Sequence, residues 1–303
     1  MKDLSANEQS QVPIFSEFER WHGFAPANFD VNFLGQRTDV SFNSGWADAE
    51  RTRDRETFPP YPALSEETFE WIALFQSILE AHETFTMVEL GAGYGRWLVA
   101  AACAVRRRRP DLGLRLMGLE AEPTHFQWLL KHFADNNLKP EDHYLIEGAV
   151  GAKDGEAFLT RVADPAAIYG QRLVASVEEA KTHGADDTIA VRTYSLATLL
   201  TKFHFVDLVD MDVQGVEFSI ISVATEELIR RVKRTHIGTH SHEIERDLRK
   251  LFGRIGWYCE SDYSCLGKRE TPFGEIDFGD GSQTWVNQRF RSVPRLGTTF
   301  PDG

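Results

Sequence analysis

Val88-Glu89-Leu90-Gly91-Ala92-Gly93-Tyr94-Gly95 joins an apolar run to three alternating glycines. Phe85 to Leu90 reads as a strand, and Arg96 to Val105, rich in Ala, Leu and Val, as the helix that follows. Glycines at such a junction let backbone approach a ligand, and a helix N-terminus presents unpaired N–H groups. The spacing is G-x-G-x-G, one residue shorter than the G-x-G-x-x-G turn that seats a pyrophosphate. Glu89 would also repel a pyrophosphate. A carboxylate there suits a ligand carrying an ammonium group, such as the methionine end of S-adenosylmethionine.

Working outward, strand and helix signals alternate. Ser65-Glu66-Glu67-Thr68 opens a helix with acids in its first turn. Trp71, Leu74 and Ile78 form one apolar stripe of it, and Phe69, Ile72, Phe75 and Leu79 another. Leu114 to Glu120 reads as a second strand, and Pro123 starts a helix with Phe126, Leu129, Leu130 and Phe133 inward. Tyr144 to Val150, Phe205 to Asp212 and Thr235 to Thr239 continue the strands. Ile189 to Thr193 is a short strand, Ser195 to Leu200 a short helix, and His242 to Ile255 a longer one. The tail from Trp257 to Arg291 is β-like. This order predicts an α/β Rossmann-like fold: a mostly parallel sheet, helices on both faces and an antiparallel addition at the C-terminal end. Residues 65–303 form the expected main domain. Residues 1–64 are an aromatic-containing, partly irregular extension and a possible lid, with Trp46 over the site. The stretch 162–187 lacks periodicity and is a possible insertion or second lid.

The composition narrows the class. Apolar residues make up 42% of the chain and aromatics 12%, enough for a sizeable core. The net charge of −13 disfavours a nucleic-acid partner. Arg106 to Arg109 is the local exception. It complements a helix C-terminus, or, on a rival reading, binds an anion. The three cysteines, Cys103, Cys259 and Cys265, form no C-x-x-C pair, and Cys103 falls in an apolar helical run. No secretory leader or membrane span is apparent, so a cytoplasmic protein is expected. The oligomeric state is not legible.

Three further stretches carry chemistry. Glu120 ends the second strand, where an acid accepts two hydrogen bonds from a ribose diol. In Val206-Asp207-Leu208-Val209-Asp210-Met211-Asp212, strand alternation puts Asp210 and Asp212 on one face. Asp212 falls at the carboxyl end of the strand, where open α/β sheets place ligands. His240, in Thr235-His236-Ile237-Gly238-Thr239-His240-Ser241-His242, ends the fifth strand facing the same crevice. A histidine there suits removal of a proton near neutral pH, and a hydrogen-bonded structural role is the alternative. His236 reads as core or edge. Asp212, His240 and His242 could meet, but no fixed ligand spacing is present and no metal is expected.

Together these stretches resemble the FkbM family of methyltransferases. Val88–Gly95, Gly118–Pro123, Gly148–Gly155, Val206–Glu217, Ile237–Glu245 and Asp280–Asn287 carry the likeness, in order, from about Phe85 to Arg291. The resemblance implies a seven-stranded methyltransferase sheet and S-adenosylmethionine as cofactor. It implies O-methylation of a small-molecule or glycan acceptor. Expected cofactor contacts are Glu89, Gly91, Gly93, Glu120, Ala121, Ala149 and Asp212, and expected catalytic residues are His240 and Asp212. Gln214 stands where the family commonly has an acid. The rival functions are a nucleotide-dependent oxidoreductase and a non-catalytic cofactor-binding or scaffolding protein.

Overall fold

The computed structural model describes residues 10–46, 51–171, 173–174, 179 and 187–291. Its main sheet has strands β1 (Thr84–Leu90), β2 (Gly113–Glu120), β3 (Tyr144–Glu147), β4 (Val206–Met211), β5 (Val232–Thr239), β6 (Tyr258–Tyr263) and β7 (Gly281–Val286). They lie in the order β6-β7-β5-β4-β1-β2-β3. β7 alone runs antiparallel to its neighbours, and the pairings between β5 and β3 are all parallel. The α/β expectation holds, with the antiparallel strand inserted between β5 and β6.

Alternation along the strands divides the core into two layers. Phe85, Met87, Leu116 and Leu208 face helices α1 (Thr68–Glu80), α2 (Arg96–Arg108) and α3 (Pro123–Asp135). Val88, Leu90, Met117, Val209 and Ile237 face α4 (Leu196–Leu200), α5 (Glu217–Val223), α6 (Thr225–Arg231) and α7 (His242–Arg254). α4 is capped as its sequence suggests, with Ser195 Oγ accepting from Thr198 N. α1 begins at Thr68 rather than Ser65, because Ser65 carbonyl accepts from Thr68 N in a preceding turn. A fully buried Arg234 on β5 donates to Ser77 and Glu80 of α1 and to Glu260 of β6. That network ties α1 to the sheet, and so fixes Glu70 on the same helix.

The third strand ends earlier than its sequence predicts. Gly148 donates to Glu120 carbonyl and diverts the chain into a second sheet. There Ala149–Gly151 pairs parallel with Thr188–Ser195, which also pairs antiparallel with Gly155–Thr160. A side chain at position 148 would meet the Arg192 carbonyl at 2.9 Å.

The N-terminal extension is more ordered and more deeply packed than its composition predicts. Gly23–Ala25 pairs with Arg55–Thr57, and Phe29–Val31 with Arg37–Asp39. Val12, Phe15, Phe18 and Phe33 are buried in the same cluster as α1 and α2. Phe18 stacks on Phe75 with ring centres 3.9 Å apart. The arginine run anchors this layer: Arg107 donates to Glu19 carbonyl and Arg108 pairs with Glu17, while Arg109 holds Asp111.

Because Phe18 is fully buried against α1, Phe18→Ala should cost about 3–5 kcal/mol, the range for losing a core aromatic. Denaturant unfolding measures it. A loss below about 1 kcal/mol would mean that the extension is a detachable arm.

Candidate active site

The glycine turn is built by close approach. Gly91 has φ +82°, and a Cβ there would lie 2.0 Å from the Asp212 carbonyl oxygen. Asp212 N donates to Leu90 carbonyl at 3.0 Å, so the ends of β1 and β4 pinch together at this residue. Gly95, at φ +74°, faces Leu129 of α3 just as tightly. Glu120 locks the turn from the β2 side. Its Oε2 accepts from Gly93 N and its Oε1 from Glu122 N, both at 2.7 Å. Burial raises its pKa to about 7, against the lowering effect of those donors. Each carboxylate oxygen keeps a lone pair for a second donor.

These residues surround one cavity of about 420 Å³. Glu89, Gly91, Gly93, Glu120, Ala121, Ala149 and Asp212, the whole set expected from sequence, line it.

The floor was only partly foreseen. Glu89, Asp210, His236 and Thr284 sit at paired register positions across β1, β4, β5 and β7. They share the face covered by α1, from which Glu70 reaches Asp210 at hydrogen-bonding range. Burial, then repulsion by Asp210, pushes Glu89 well above the usual carboxylate range. Burial, then repulsion by Asp210, likewise holds Glu70 well up, while burial and the Asp212 charge raise Asp210 to about 7 against the lowering effect of its hydrogen bond with Glu70. Burial keeps His236 neutral, with its pKa lowered to about 3, and its Nδ1 lies 2.9 Å from Thr284 Oγ1. Periodicity gave the parity of Asp210, but only the strand register brings it beside His236 and Glu89.

At the mouth, His240 follows β5 directly. Its Nδ1 is 2.6 Å from Glu217 Oε1, and its Nε2 is 3.2 Å from Asp212 Oδ1 and 3.8 Å from Asp280 Oδ1. The Asp212 contact is an ion-pair distance without hydrogen-bond alignment. Glu217 is fully buried and also accepts from Gly215 N at 2.9 Å. Gln214 and Gly215, both at positive φ, make the tight turn before it. Burial lowers the His240 pKa, but Asp212 and Glu217 outweigh it and carry it up to about 10. Two details differ from the sequence expectation. The ring stands behind Asp212 rather than among the cavity-lining residues, and the two carboxylates beside it favour its charged form over a neutral base. His242 turns away to Glu245 and Cys265.

Two segments cover the glycine turn. Tyr169 stacks on His125 with ring centres 4.1 Å apart, and its hydroxyl donates to Phe42 carbonyl. Ser44 N donates to Ala166 carbonyl at 3.1 Å. Asn43, Trp46, Tyr169 and Gln171 thereby form the outer wall. Part of the 162–187 stretch expected as a lid, residues 172, 175–178 and 180–186, lies outside the described residues. Glu217, Tyr169, Asp280 and Glu70 had no assigned role in the sequence. Glu66 and Glu67, read there as helix-start acids, lie just before α1, where Glu66 accepts from Gly279 N and Glu67 clasps Arg96.

Comparison with known proteins adds to this geometry. The profile described as the methyltransferase FkbM domain matches residues 89–260. A protein of Jannaschia sp. (strain CCS1) that carries a methyltransferase name is 26% identical over 249 residues, spanning 81% of this chain and 88% of that one. The structure of methyltransferase FkbM from Methylobacillus flagellatus KT is similar at 14% identity and a TM-score of 0.43. That match covers 67% of this chain and 44% of the other. Among the described residues no helix is long and apolar enough to cross a membrane.

The two histidines should differ in protonation. Nitrogen NMR of the imidazoles at neutral pH should find His240 charged and His236 neutral. A raised pKa contributes stability fully below the ordinary value near 6.5 and loses it as pH rises through about 10. Melting temperature should therefore fall at alkaline pH, and less steeply in His240→Asn. A neutral His240 at pH 7 would contradict the ion-pair geometry.

Proposed function

The chain belongs to the methyltransferase FkbM family, and from that premise we propose that it transfers a methyl group from S-adenosylmethionine to a hydroxyl of a sugar, polysaccharide or natural product. The observation that carries the cofactor is the pinched Gly91 turn, with Glu120 on one side and an acid floor beneath. When bound, S-adenosylmethionine supplies an electrophilic sulfonium methyl. Glu120 would accept from the ribose diol, as an acid closing a second strand does. Gly91 and Gly93 would let the backbone approach the cofactor, and Ala121 and Ala149, small residues on the cavity wall, would leave room for its ring system. Glu89 and its neighbours offset the positive charge of the methionine end.

On the acceptor side, Asp212 is the group at the mouth, with a side chain 57% exposed. It would receive the hydroxyl proton as the acceptor oxygen bonds to the methyl carbon and the carbon–sulfur bond breaks, with S-adenosylhomocysteine as the leaving group. His240, anchored by Glu217, is a positioning residue that holds Asp212 and its charge in place. Most of the rate comes from alignment of acceptor and methyl. The polar lining, with Asn43, Gln171, Gln214 and Asp280, supports a polyhydroxylated acceptor, and its many acids disfavour a phosphorylated or carboxylated one.

Calorimetry should show S-adenosylhomocysteine binding, and Glu120→Ala should weaken it on the order of 10- to 100-fold, the loss of a hydrogen bond to a charged group. Binding of NAD instead would move the chain to oxidoreductase chemistry. With labelled S-adenosylmethionine and a panel of neutral glycans, Asp212→Asn should lower turnover by a factor of about 10² with cofactor affinity kept. Because His240 keeps its proton through neutral pH, the rate should show no step near the ordinary histidine pKa of about 6.5. Such a step in the unmodified enzyme, absent from His240→Asn, would give the proton-accepting role to His240.

A further inference from the structure

We propose that the cavity floor is a divalent metal site, with Glu70, Asp210 and His236 as ligands. One donor atom from each lies within 4.8 Å of the other two. A single ion with bonds of about 2.0–2.3 Å bridges donors at that spacing after small side-chain shifts. The three come from α1, β4 and β5, elements that Arg234 and the strand pairing hold rigidly together.

The histidine is set up as a ligand. Its Nδ1 is turned to Thr284 Oγ1, which leaves Nε2 as the donor to a metal. Metal-bound imidazoles are oriented in this way by an oxygen on the far nitrogen. A second observation is independent of the cluster. Ser282 is 4% exposed, its hydroxyl has no hydrogen-bond partner, and it lines the same cavity. It stands two residues before Thr284 on β7, on the same face, and supplies a further oxygen to the ion or to a water on it.

The charge balance also closes. Glu70 and Asp210 face each other in a buried site, where two bare carboxylates repel and a shared proton is the cheapest counter-charge. A divalent ion takes the place of that proton, which leaves to solvent, and both carboxylates then bind as anions. Two carboxylates and one imidazole suit Mn²⁺, Zn²⁺ or Mg²⁺ better than a soft ion. Three protein donors leave coordination positions open toward the cavity. The sequence gives no hint of this set, because its members are spread over residues 70–236 without motif spacing. The inference does not depend on the methyl-transfer reading.

The test uses the full chain, stripped with a chelator and titrated with Mn²⁺. Electron paramagnetic resonance should follow loss of the free-ion signal, and spin-echo spectra should show nitrogen coupling from a bound imidazole. Glu70→Gln and Asp210→Asn should each weaken Mn²⁺ binding at least ten-fold. His236→Asn should remove the nitrogen coupling. Melting curves confirm that each variant is folded, and Ser282→Ala serves as the mildest change. Folded protein that binds no Mn²⁺ at millimolar concentration overturns the site, as does binding indifferent to all of these substitutions. S-adenosylhomocysteine calorimetry on the stripped protein separates the two readings. S-adenosylhomocysteine binding without any Mn²⁺ site leaves the methyltransferase reading standing and the floor as a cradle for the cofactor's ammonium group alone.

Discussion

Everything at this site depends on a buried row of ionisable groups that needs a positive charge. Glu89, Asp210 and His236 stand side by side across β1, β4 and β5, with Glu70 pressing on them from α1. Glu89 accepts from Leu98 N, but no cation faces the row, and buried carboxylates without a counter-charge favour their protonated forms. A sheet meant only to be stable would fill those positions with apolar residues, as it does one step away at Met87 and Leu208. In the proposed function, these acids receive the charge of the ligand. The Gly91 turn brings the ligand within reach, because only a residue without a side chain fits against the Asp212 carbonyl.

The surrounding architecture keeps that row in register. Arg234 spends its guanidinium on Ser77, Glu80 and Glu260, pinning α1 over the sheet so that Glu70 meets Asp210. The N-terminal layer does similar work from outside. Its Phe15, Phe18 and Phe33 pack on α1, and its Asn43 and Trp46 close the cavity wall near Tyr169. The extension thus belongs to the core at one end and to the site at the other. At the mouth, Glu217 fixes His240 behind Asp212, a chain of contacts running from a buried helix start to the cavity edge.

Local signals in the sequence were enough for the fold and for half of the site. Hydrophobic periodicity located the strands, and the G-x-G-x-G turn with Glu120 located the cradle, because those features are written in consecutive residues. The floor was hidden for a physical reason. Strand alternation tells which face Asp210 takes, but not which residues of β1 and β5 stand beside it; register is settled by packing over the whole sheet. Glu70 drew no reading from the sequence for the same reason. The place of His240 at the end of β5, next to Asp212, was legible. Its setting behind Asp212 was not, since that depends on Asp212, Glu217 and Asp280 arriving from two other segments. The depth of the N-terminal aromatics was likewise a matter of tertiary packing.

The most direct measurement is a crystal structure of the full chain with S-adenosylhomocysteine bound. The account predicts ribose hydroxyls on Glu120, backbone of Gly91 and Gly93 against the ligand, and the amino group of the homocysteine end above Glu89 and the Asp210 floor. A ligand that turned its charged end away from that floor, or bound outside the cavity beneath Tyr169 and Trp46, would contradict it.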